Sequence, residues 1–593
     1  MSPFDAAGGA GVSTAARVSP LMQPLTQGGL FAWTHEPAGE TSEVGVVLVS
    51  PLGRDARCVH APMRMFADQL ALAGYPTLRY DHLGCGDSLD LPDPSADALA
   101  CWLDGLERTA ELLRSRAGVR RVVLAGIRAG AALAVTHAAL ADGLILLAPV
   151  LSGRSWLRRL RFAAQAAGDT RGSMADDAPF DAEGLWLNGA TAASLAQIDL
   201  ATLPAPEIPV FLAAQNRLTA NYGSALVRKG AAVETQDFKE FDDLFIDAHS
   251  NLPPRVLFGQ AIRWLERTYG EARAPRPTTP RPPARLEVAG GDERPVRFGS
   301  GLWGVLCEPR AARTGAPAVL VCNTGGDPRA GIGGLATQAA RRLALKGFAS
   351  LRFDFAGLGD SPMDGEGRCH VYETPREADM DAAVSFLDGQ GHAQSVVVGL
   401  CAGAYHGLRA SWRDQRIIGV FAVSPVKLQW LKGESLVFGK KPEVRSARFY
   451  LRGAASPLVW RRLLLGRIDV PHIVAAFAVR RLNRLRERLR LLGGPSPASG
   501  IEGFGRRGGH VCLTMGREDA SLDEIEIFFG PKGERLKTIP GAALRVVDEL
   551  DHGLALRSSR QIALEELEAW LDDHWPAPET PARDPPTRAA RAQ

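Results

Sequence analysis

The sequence predicts an α/β fold that occurs twice along the chain, and three observations support this. Short apolar runs alternate with amphipathic helical patterns, which is typical of a mostly parallel sheet with helices on both faces. One long motif occurs twice, and a proline-rich segment, Pro275–Arg285, separates the two copies. The 593 residues are also too many for one core of the usual size, roughly 100–250 residues.

The repeated motif aligns the two copies. The segment LALAGYPTLRYDHLGCGDS ends at Ser88, and LALKGFASLRFDFAGLGDS ends at Ser361. Asp81 and Asp354 are 273 positions apart, and two pairs of glycines further along keep the same separation. A constant separation over about fifty residues indicates duplication of one fold.

Strands and helices are predicted in the same order in both copies. In the first copy, strands are predicted at Val46–Val49, Pro76–Tyr80, Arg121–Leu124, Leu144–Ala148 and Val210–Ala213. In the second copy, strands are predicted at Ala318–Cys322, Ala349–Phe353, Ser395–Val398, Ile418–Val423, Val511–Thr514 and Leu544–Val547, with helices at Gly334–Leu345, Glu377–Leu387 and Ser559–Asp573.

These patterns predict the following segments: a disordered N-terminus (1–24), a first domain (25–272), a proline-rich linker (273–287), a second domain (288–575) and a disordered tail (576–593). The second domain contains a helical insertion at about 427–507 that is rich in Lys and Arg. Its segment Val479–Leu492 places leucines and arginines on opposing faces. The insertion is either a solvated helical surface or a face for anionic lipid, a polysaccharide or an acidic protein partner.

Composition excludes several classes of protein. With 69 basic and 66 acidic residues, the chain is not expected to bind nucleic acid. It has no apolar run of the roughly 18–20 residues that span a bilayer and no signal-peptide pattern, so a cytoplasmic protein is expected, with the basic insertion offering peripheral contact with the inner membrane. The eight cysteines are scattered, which argues against a disulfide framework and a structural zinc. The Ala, Arg, Gly and Pro content is typical of a GC-rich bacterium.

A candidate nucleophile lies between a predicted strand and a predicted helix of the second copy. Gly399-Leu400-Cys401-Ala402-Gly403 has the pattern G-x-S-x-G with cysteine in place of serine. Small residues on both sides let strand and helix approach at a strained turn, and a helix N-terminus favours a thiolate. The alternative is a small buried cysteine without a chemical role.

Both copies resemble the α/β-hydrolase superfamily, in the branch of serine aminopeptidase-like and exopolysaccharide (exosortase)-associated hydrolases. The resemblance rests on the elbow pattern and on the turn Asp354-x-x-Gly357-x-Gly359-x-Ser361, which we interpret as structural, and it covers most of residues 25–270 and 290–575. It implies that inserted helices form a lid over the active site. With a cysteine in the nucleophile position, the second copy is similar to dienelactone hydrolases. This similarity implies the type of nucleophile but not the substrate.

In this superfamily the catalytic residues follow the order nucleophile, acid, histidine. His552 lies after the last predicted strand, where the resemblance implies the catalytic histidine. Asp519 follows the preceding strand, where the acid is implied, and its neighbours Glu518 and Asp523 remain alternatives. A surface histidine and surface carboxylates are the simpler interpretation.

The resemblance also implies an oxyanion hole. Its donors are expected to be the backbone N–H groups of Ala402 and of Thr324 or Gly325, in the loop after Cys322. The alternative is that this loop is only a tight turn.

The first copy departs from the pattern at the elbow, which contains Arg128 in the sequence Gly126-Ile127-Arg128-Ala129-Gly130. An arginine stays protonated and cannot attack a carbonyl. The expected acid region, 214–217, has no carboxylate, and His249 is interpreted as a remnant of the third member. Arg128 either binds an anionic ligand or is paired internally.

Two functions remain open from the sequence. The first is a hydrolase or acyltransferase that acts on a small-molecule ester, thioester or lactone through Cys401, His552 and Asp519, without cofactor or metal, beside a catalytically inactive first domain. The second is a non-catalytic binding or scaffold protein that uses both domains and the basic surface, with exopolysaccharide biosynthesis suggested by the resemblance alone. A peptidase has only the family name behind it.

Overall fold

The computed structural model describes residues 21–117, 119–166, 175, 177–270, 273–274, 283–362, 371–430 and 496–577. Two large sheets contain most of the strands. We call residues 21–270 the first domain and residues 283–577 the second domain. Among the described residues, no helix is both long and apolar enough to cross a bilayer.

The first domain is built on an eight-stranded mixed sheet with the order β1-β2-β5-β4-β6-β7-β10-β11. The first three strands in this order pair antiparallel and the rest pair parallel. The strands of the first domain are β1 (Leu21–Gln27), β2 (Leu30–Glu36), β3 (Thr41–Ser42), β4 (Val44–Val49), β5 (Thr77–Tyr80), β6 (Arg121–Ile127), β7 (Gly143–Leu147), β8 (Phe180–Ala182), β9 (Leu185–Leu187), β10 (Val210–Ala214) and β11 (Val233–Asp237). A further short strand, β12 (Arg273–Ala274), follows the first domain along the chain. Its helices are α1 (Arg54–Leu72), α2 (Ala98–Ala117), α3 (Ala129–Thr136), α4 (Gly153–Ala166), α5 (Gly189–Ala196), α6 (Arg217–Arg228), α7 (Phe241–Leu244) and α8 (Arg255–Tyr269).

The second domain is built on a nine-stranded sheet with the order β13-β14-β15-β17-β16-β18-β19-β20-β21. Without the short edge strand β13, this order is the same as that of the first sheet. Its strands are β13 (Leu286–Val288), β14 (Gly291–Phe298), β15 (Leu302–Pro309), β16 (Ala318–Val321), β17 (Ser350–Phe353), β18 (Ser395–Leu400), β19 (Ile417–Val423), β20 (His510–Gly516) and β21 (Ala542–Val547). Its helices are α9 (Leu335–Leu345), α10 (Glu377–Gly389), α11 (Ala402–Ser411), α12 (Pro497–Arg506), α13 (Ser521–Phe529) and α14 (Arg557–His574).

Helices cover both faces of each sheet. Along β10, Val210 and Leu212 pack in one apolar cluster, whereas Phe211 and Ala213 pack in another on the opposite face. The second sheet has the same alternation between its two clusters. Successive side chains of a strand point to opposite faces, so strands that are apolar throughout require cover on both sides. The predicted strands and helices are confirmed, with ends that differ by at most three residues.

Ion pairs between the domains are reciprocal. Arg79 of the first domain pairs with Asp360 of the second, and Arg352 of the second pairs with Asp87 of the first at 3.0 Å. Arg79 and Arg352 are 273 positions apart, as are Asp87 and Asp360. All four side chains are buried. The contact therefore has the self-complementary form of an interface between two copies of one fold.

Several predicted segment boundaries need correction. Residues 21–24, expected in a disordered N-terminus, belong to β1 because they pair with β2. Residues 273–274 of the predicted linker pair with β3, and 286–287 lie in β13. Of the predicted insertion, 427–430 and 496–507 are described and include the helix α12, whereas 431–495, and with them the basic segment from Val479 to Leu492, lie outside the described residues. Most of the predicted tail and residues 1–20 also lie outside them.

Candidate active site

The elbow at Cys401 joins β18 to α11 with a strained backbone. Cys401 has φ 55° and ψ −111°, a conformation that is uncommon for a residue with a side chain. A Cβ at Gly399 would lie 2.3 Å from the carbonyl carbon of Gly403, so only glycine fits there. The turn holds the half-buried thiol at the start of the helix, where the first N–H groups have no partner within the helix.

The structure brings Cys401, His552 and Asp519 together. The Nδ1 atom of His552 lies 3.0 and 3.1 Å from the two carboxylate oxygens of Asp519. Cys401 is close enough to His552 for its sulfur to raise the pKa of the ring. Because Nδ1 faces the carboxylate, Nε2 is the ring nitrogen left for the thiol. The hydrogen-bonded pair of His552 and Asp519 therefore lies near Cys401, which is the arrangement that a nucleophile, a base and an orienting acid require.

Burial and hydrogen bonding oppose each other in this group. Burial lowers the pKa of His552, but the hydrogen bonds and charges of Asp519 and Cys401 outweigh it and hold the pKa well above its usual value. Burial likewise raises the pKa of Asp519, but the contacts with His552 and the N–H of Ser521 outweigh it and lower that pKa. His552 is thus arranged to accept and keep a proton beside an ionised carboxylate.

Tyr372 is a further contact of the thiol, and it was not among the residues that the sequence analysis predicted. Its hydroxyl lies 3.3 Å from the Cys401 sulfur. Burial, together with the charge and hydrogen bond of Cys401, holds the pKa of Tyr372 well above its usual value, so the phenol stays protonated and can donate to a thiolate. Its ring stacks on Trp430 at 5.2 Å and meets Tyr405 edge-on. No local pattern marks Tyr372, because its contact with Cys401 depends on packing between segments 29 residues apart.

The predicted oxyanion loop lies beside the elbow. A Cβ at Gly403 would come within 2.5 Å of the carbonyl oxygen of Asn323, so the start of the loop packs directly on α11. The Asn323 side chain is held by the carbonyl of Asp327, by the carboxylate of Asp354 and by the N–H of Phe355. Thr324 and Gly325 follow at once and are partly exposed. Their roles as donors, like that of Ala402, stay predictions.

Arg128 occupies the equivalent elbow of the first domain and contacts groups of that domain. Its Nε lies 3.3 Å from the Asp55 carboxylate, and its Nη1 donates to the carbonyl of Ala148 at 3.1 Å. The guanidinium also lies over the ring of Phe241. Of the two interpretations left open by the sequence, the structure contains the internal pairing.

His249 lies against the second domain. Its Nδ1 is 3.3 Å from the Asp247 carboxylate and 3.9 Å from the position that a Cβ at Gly325 would take. The histidine interpreted as a triad remnant of the first domain therefore borders the predicted oxyanion loop of the second. Sequence reasoning could not find this contact, since it joins two domains.

Within the described residues, no cluster of three or more His, Cys, Asp or Glu side chains is arranged to hold a metal ion.

Comparisons with known proteins give partial matches. No family model matches the chain. The urease accessory protein UreD from Pseudomonas aeruginosa (strain UCBPP-PA14) and its counterpart from Pseudomonas paraeruginosa (strain PA7) are each 28% identical over 183 residues, which are 29% of this chain. The match spans 61% of the length of these curated relatives.

Several solved structures of hydrolases are similar to about half of the chain. The esterase Pf2001 from Pyrococcus furiosus is similar over 50% of this chain and 99% of its own, with 15% identity and a TM-score of 0.31. A carboxyl esterase from Bacillus coagulans covers 42% of this chain and 99% of its own, with 14% identity and a TM-score of 0.30. An α-β serine hydrolase homologue from Coxiella burnetii covers 50% and 99%, with 13% identity and a TM-score of 0.27.

Proposed function

We propose that the second domain hydrolyses, or transfers to another acceptor, the acyl group of an ester, thioester or lactone. The observation that carries this proposal is the position of His552, whose ring is hydrogen-bonded to Asp519 and lies near Cys401. A thiol, an imidazole and a buried carboxylate in this order provide a nucleophile, a proton acceptor and an orienting group. Tyr372 adds a donor to the sulfur.

In the first step, the Cys401 sulfur, whose proton has passed to Nε2 of His552, attacks the carbonyl carbon of the substrate. The carbonyl oxygen becomes an oxyanion, which the N–H groups of Ala402 and of Thr324 or Gly325 would stabilise. Collapse of the tetrahedral intermediate breaks the bond to the leaving group, which takes the proton from His552. The acyl group is then a thioester on Cys401.

In the second step, water or another hydroxyl gives its proton to His552 and attacks the thioester carbon. The intermediate collapses, the sulfur leaves and recovers the proton, and the free acid or the new ester departs. Asp519 stays ionised throughout and stabilises the imidazolium. The aromatic cluster of Tyr372, Tyr405 and Trp430 beside the sulfur favours an acyl group with an apolar portion.

Labelling with a thiol-reactive activity probe tests the proposal. Wild-type protein is expected to label at one site, the label is lost in Cys401→Ala, and it slows at least about tenfold in His552→Ala because the proton acceptor is gone. Cys101→Ala is the matched control, since Cys101 is a half-buried cysteine of the first domain outside this group. Turnover of p-nitrophenyl acetate and of a thioester measures the complete reaction.

The competing interpretation is a binding protein without catalysis. It predicts that several cysteines label at similar rates, that the rates do not depend on His552, and that no ester is turned over. That outcome would overturn the proposed reaction.

We further propose that the first domain is a catalytically inactive duplicate of the second. The common strand order, the constant separation of 273 positions and the reciprocal ion pairs support duplication. Arg128 at the elbow, with Asn216 in the acid region, supports loss of catalysis. The lid, the anionic partner of the basic insertion, binding at the inner membrane and a role in exopolysaccharide biosynthesis stay predictions.

A further inference from the structure

We infer that the first domain positions the oxyanion loop of the second domain, and that this is the function for which its fold is retained. The inference rests on the proposed function, because it concerns the loop that carries the proposed donors. We call residues 323–329 the oxyanion loop; they connect β16 to the turn before α9. First-domain residues contact this loop at its middle and near its end.

In the first contact, one guanidinium nitrogen lies near both oxygens of a carboxylate. Arg57, in α1 of the first domain, places Nη1 2.9 Å from each carboxylate oxygen of Asp327. Its Nη2 also reaches the carbonyl of Glu183 in the first domain. Because Glu183 also holds the Arg57 guanidinium, the ion pair fixes the position of the Asp327 carboxylate. Asp327 is three residues after Thr324 and accepts, through its own carbonyl, a hydrogen bond from Asn323.

The second contact is a buried ion pair at the end of the loop. The Arg329 guanidinium lies 2.6 Å from Asp87 of the first domain, and it also pairs with Asp354 and Asp360 of the second at 2.7 Å. These side chains are at most 4% exposed. Removal of one member of such a group leaves an unpaired buried charge, so the arrangement resists displacement. The loop end is thereby attached to both domains.

The third contact is backbone against backbone. A Cβ at Gly326 would come within 2.2 Å of the carbonyl oxygen of Ala248, and one at Gly325 would lie 3.9 Å from His249. Gly325 has φ 55°, which favours glycine. The turn 248–249 of the first domain therefore packs on the middle of the loop, beside the proposed donors Thr324 and Gly325.

These contacts matter because an oxyanion hole works through fixed geometry. Donors must lie about 2.7–3.1 Å from the developing charge, and a loop with adjacent glycines does not fix them by its own sequence. The contacts with Arg57, Asp87 and the turn 248–249 supply that fixation from outside the second domain. A first domain without a nucleophile then still contributes to the reaction.

The variant Arg57→Met in the full-length protein tests the inference. Arg64→Met is the matched control: it lies in the same helix, is similarly buried, and donates to Gly359 of the second domain outside the loop. Hydrogen–deuterium exchange of peptides covering 323–331 is expected to be about tenfold faster in Arg57→Met and unchanged in Arg64→Met. Arg57→Lys keeps the charge but replaces the planar guanidinium with an ammonium group, so it is expected to give an intermediate exchange rate.

Two reactions of Cys401 separate positioning from general disruption. Alkylation by iodoacetamide develops no oxyanion, whereas acylation by p-nitrophenyl acetate does. Arg57→Met is expected to lower the acylation rate about tenfold or more and to leave the alkylation rate within about twofold. A parallel loss of both rates would indicate disruption of the whole site and would overturn the inference.

Gly326→Ala provides a second variant that leaves every charge in place. Its methyl group would displace the turn 248–249, so faster exchange of the loop is expected again. Unchanged loop exchange in both Arg57→Met and Gly326→Ala would overturn the inference. Failure of the proposed function is a different result: wild-type protein would then turn over no ester and label independently of His552, while the exchange experiment would still decide whether the first domain holds the loop.

Discussion

The two elbows of this protein have nearly the same backbone and entirely different partners. Arg128 has φ 54° and ψ −120°, and Cys401 has φ 55° and ψ −111°. Each N–H donates to the carbonyl that ends the next strand, Leu147 at 3.0 Å and Val423 at 2.9 Å. The strained turn is therefore present where the side chain cannot be a nucleophile. Strain at an elbow follows from joining a strand to a tightly packed helix and does not by itself indicate catalysis.

The difference lies in what surrounds each side chain. Cys401 contacts His552, which Asp519 orients, whereas Arg128 contacts Asp55 and a backbone carbonyl. The acid position of the first domain holds Asn216, whose side chain caps α6 by accepting from the N–H of Thr219. Four paired experiments, each with one variant per domain or one internal control, test whether chemistry is confined to the second elbow.

Substitution of the Cys401 side chain at its elbow, compared with that of Arg128, should have the largest effect on ester turnover. Cys401→Ala is expected to lower ester turnover by about 10⁴-fold or more, as loss of a nucleophile does elsewhere. Arg128→Met keeps the apolar stem, removes the charge and is expected to leave turnover within about twofold. Steady-state kinetics with p-nitrophenyl acetate measures turnover in both variants. Equal losses of turnover would mean that Arg128 takes part in the reaction.

Substitutions at the acid positions should have the next largest effect. Asp519→Asn is expected to lower turnover by about 10²–10⁴-fold, because the amide does not stabilise the imidazolium, while it can still accept from Ser521. Asn216→Asp preserves the cap of α6 and is expected to create no activity in the Cys401→Ala background. An Asp519→Asn variant with normal turnover would shift the role to Asp523 or Glu518.

The elbow glycines should show equal effects on stability. Gly399→Ala and Gly126→Ala each place a Cβ within about 2.5 Å of backbone atoms, so each is expected to destabilise its domain by about 1–3 kcal/mol. Gly39→Ala and Gly503→Ala are controls, since nothing lies within 4 Å of either added carbon. Thermal melting measures all four. A loss only in Gly399→Ala would mean that the first elbow tolerates rearrangement.

The pH dependence of stability should show the smallest effect. Asp519 and Cys401 raise the pKa of His552 in the folded state. The stability that protonated His552 contributes is therefore fully present below the unfolded pKa of about 6.5, and it is lost as pH rises through the raised folded-state pKa. The melting temperature of wild type relative to His552→Gln is therefore expected to fall as pH rises above about 6.5. Asp519→Asn/His552→Gln, compared with Asp519→Asn alone, should lack most of this dependence. A difference independent of pH would contradict the raised pKa.

Much of this arrangement could be predicted from the sequence, because the signals are local or repeated. The strand before Cys401, the small residues at 399 and 403, and the helix after them are contiguous, so a short segment specifies the elbow. The constant separation of 273 positions specifies the double fold. The segment boundaries were less accurate: pairing of residues 21–24 and 273–274 with other strands depends on partners that local composition does not reveal.

The sequence alone determined the type of fold, its repetition and the candidates for a reactive group. It could do so because the alternation of apolar residues and the glycines of a tight turn involve residues that are close together in the chain. The tertiary structure alone decided which carboxylate faces His552, that Tyr372 reaches the sulfur, and that Arg57 and the turn bearing His249 hold a loop of the other domain. These contacts join residues from 29 to 270 positions apart. Such contacts form only when the second domain folds and, for Arg57 and His249, when the two domains pack together, so no local pattern encodes them.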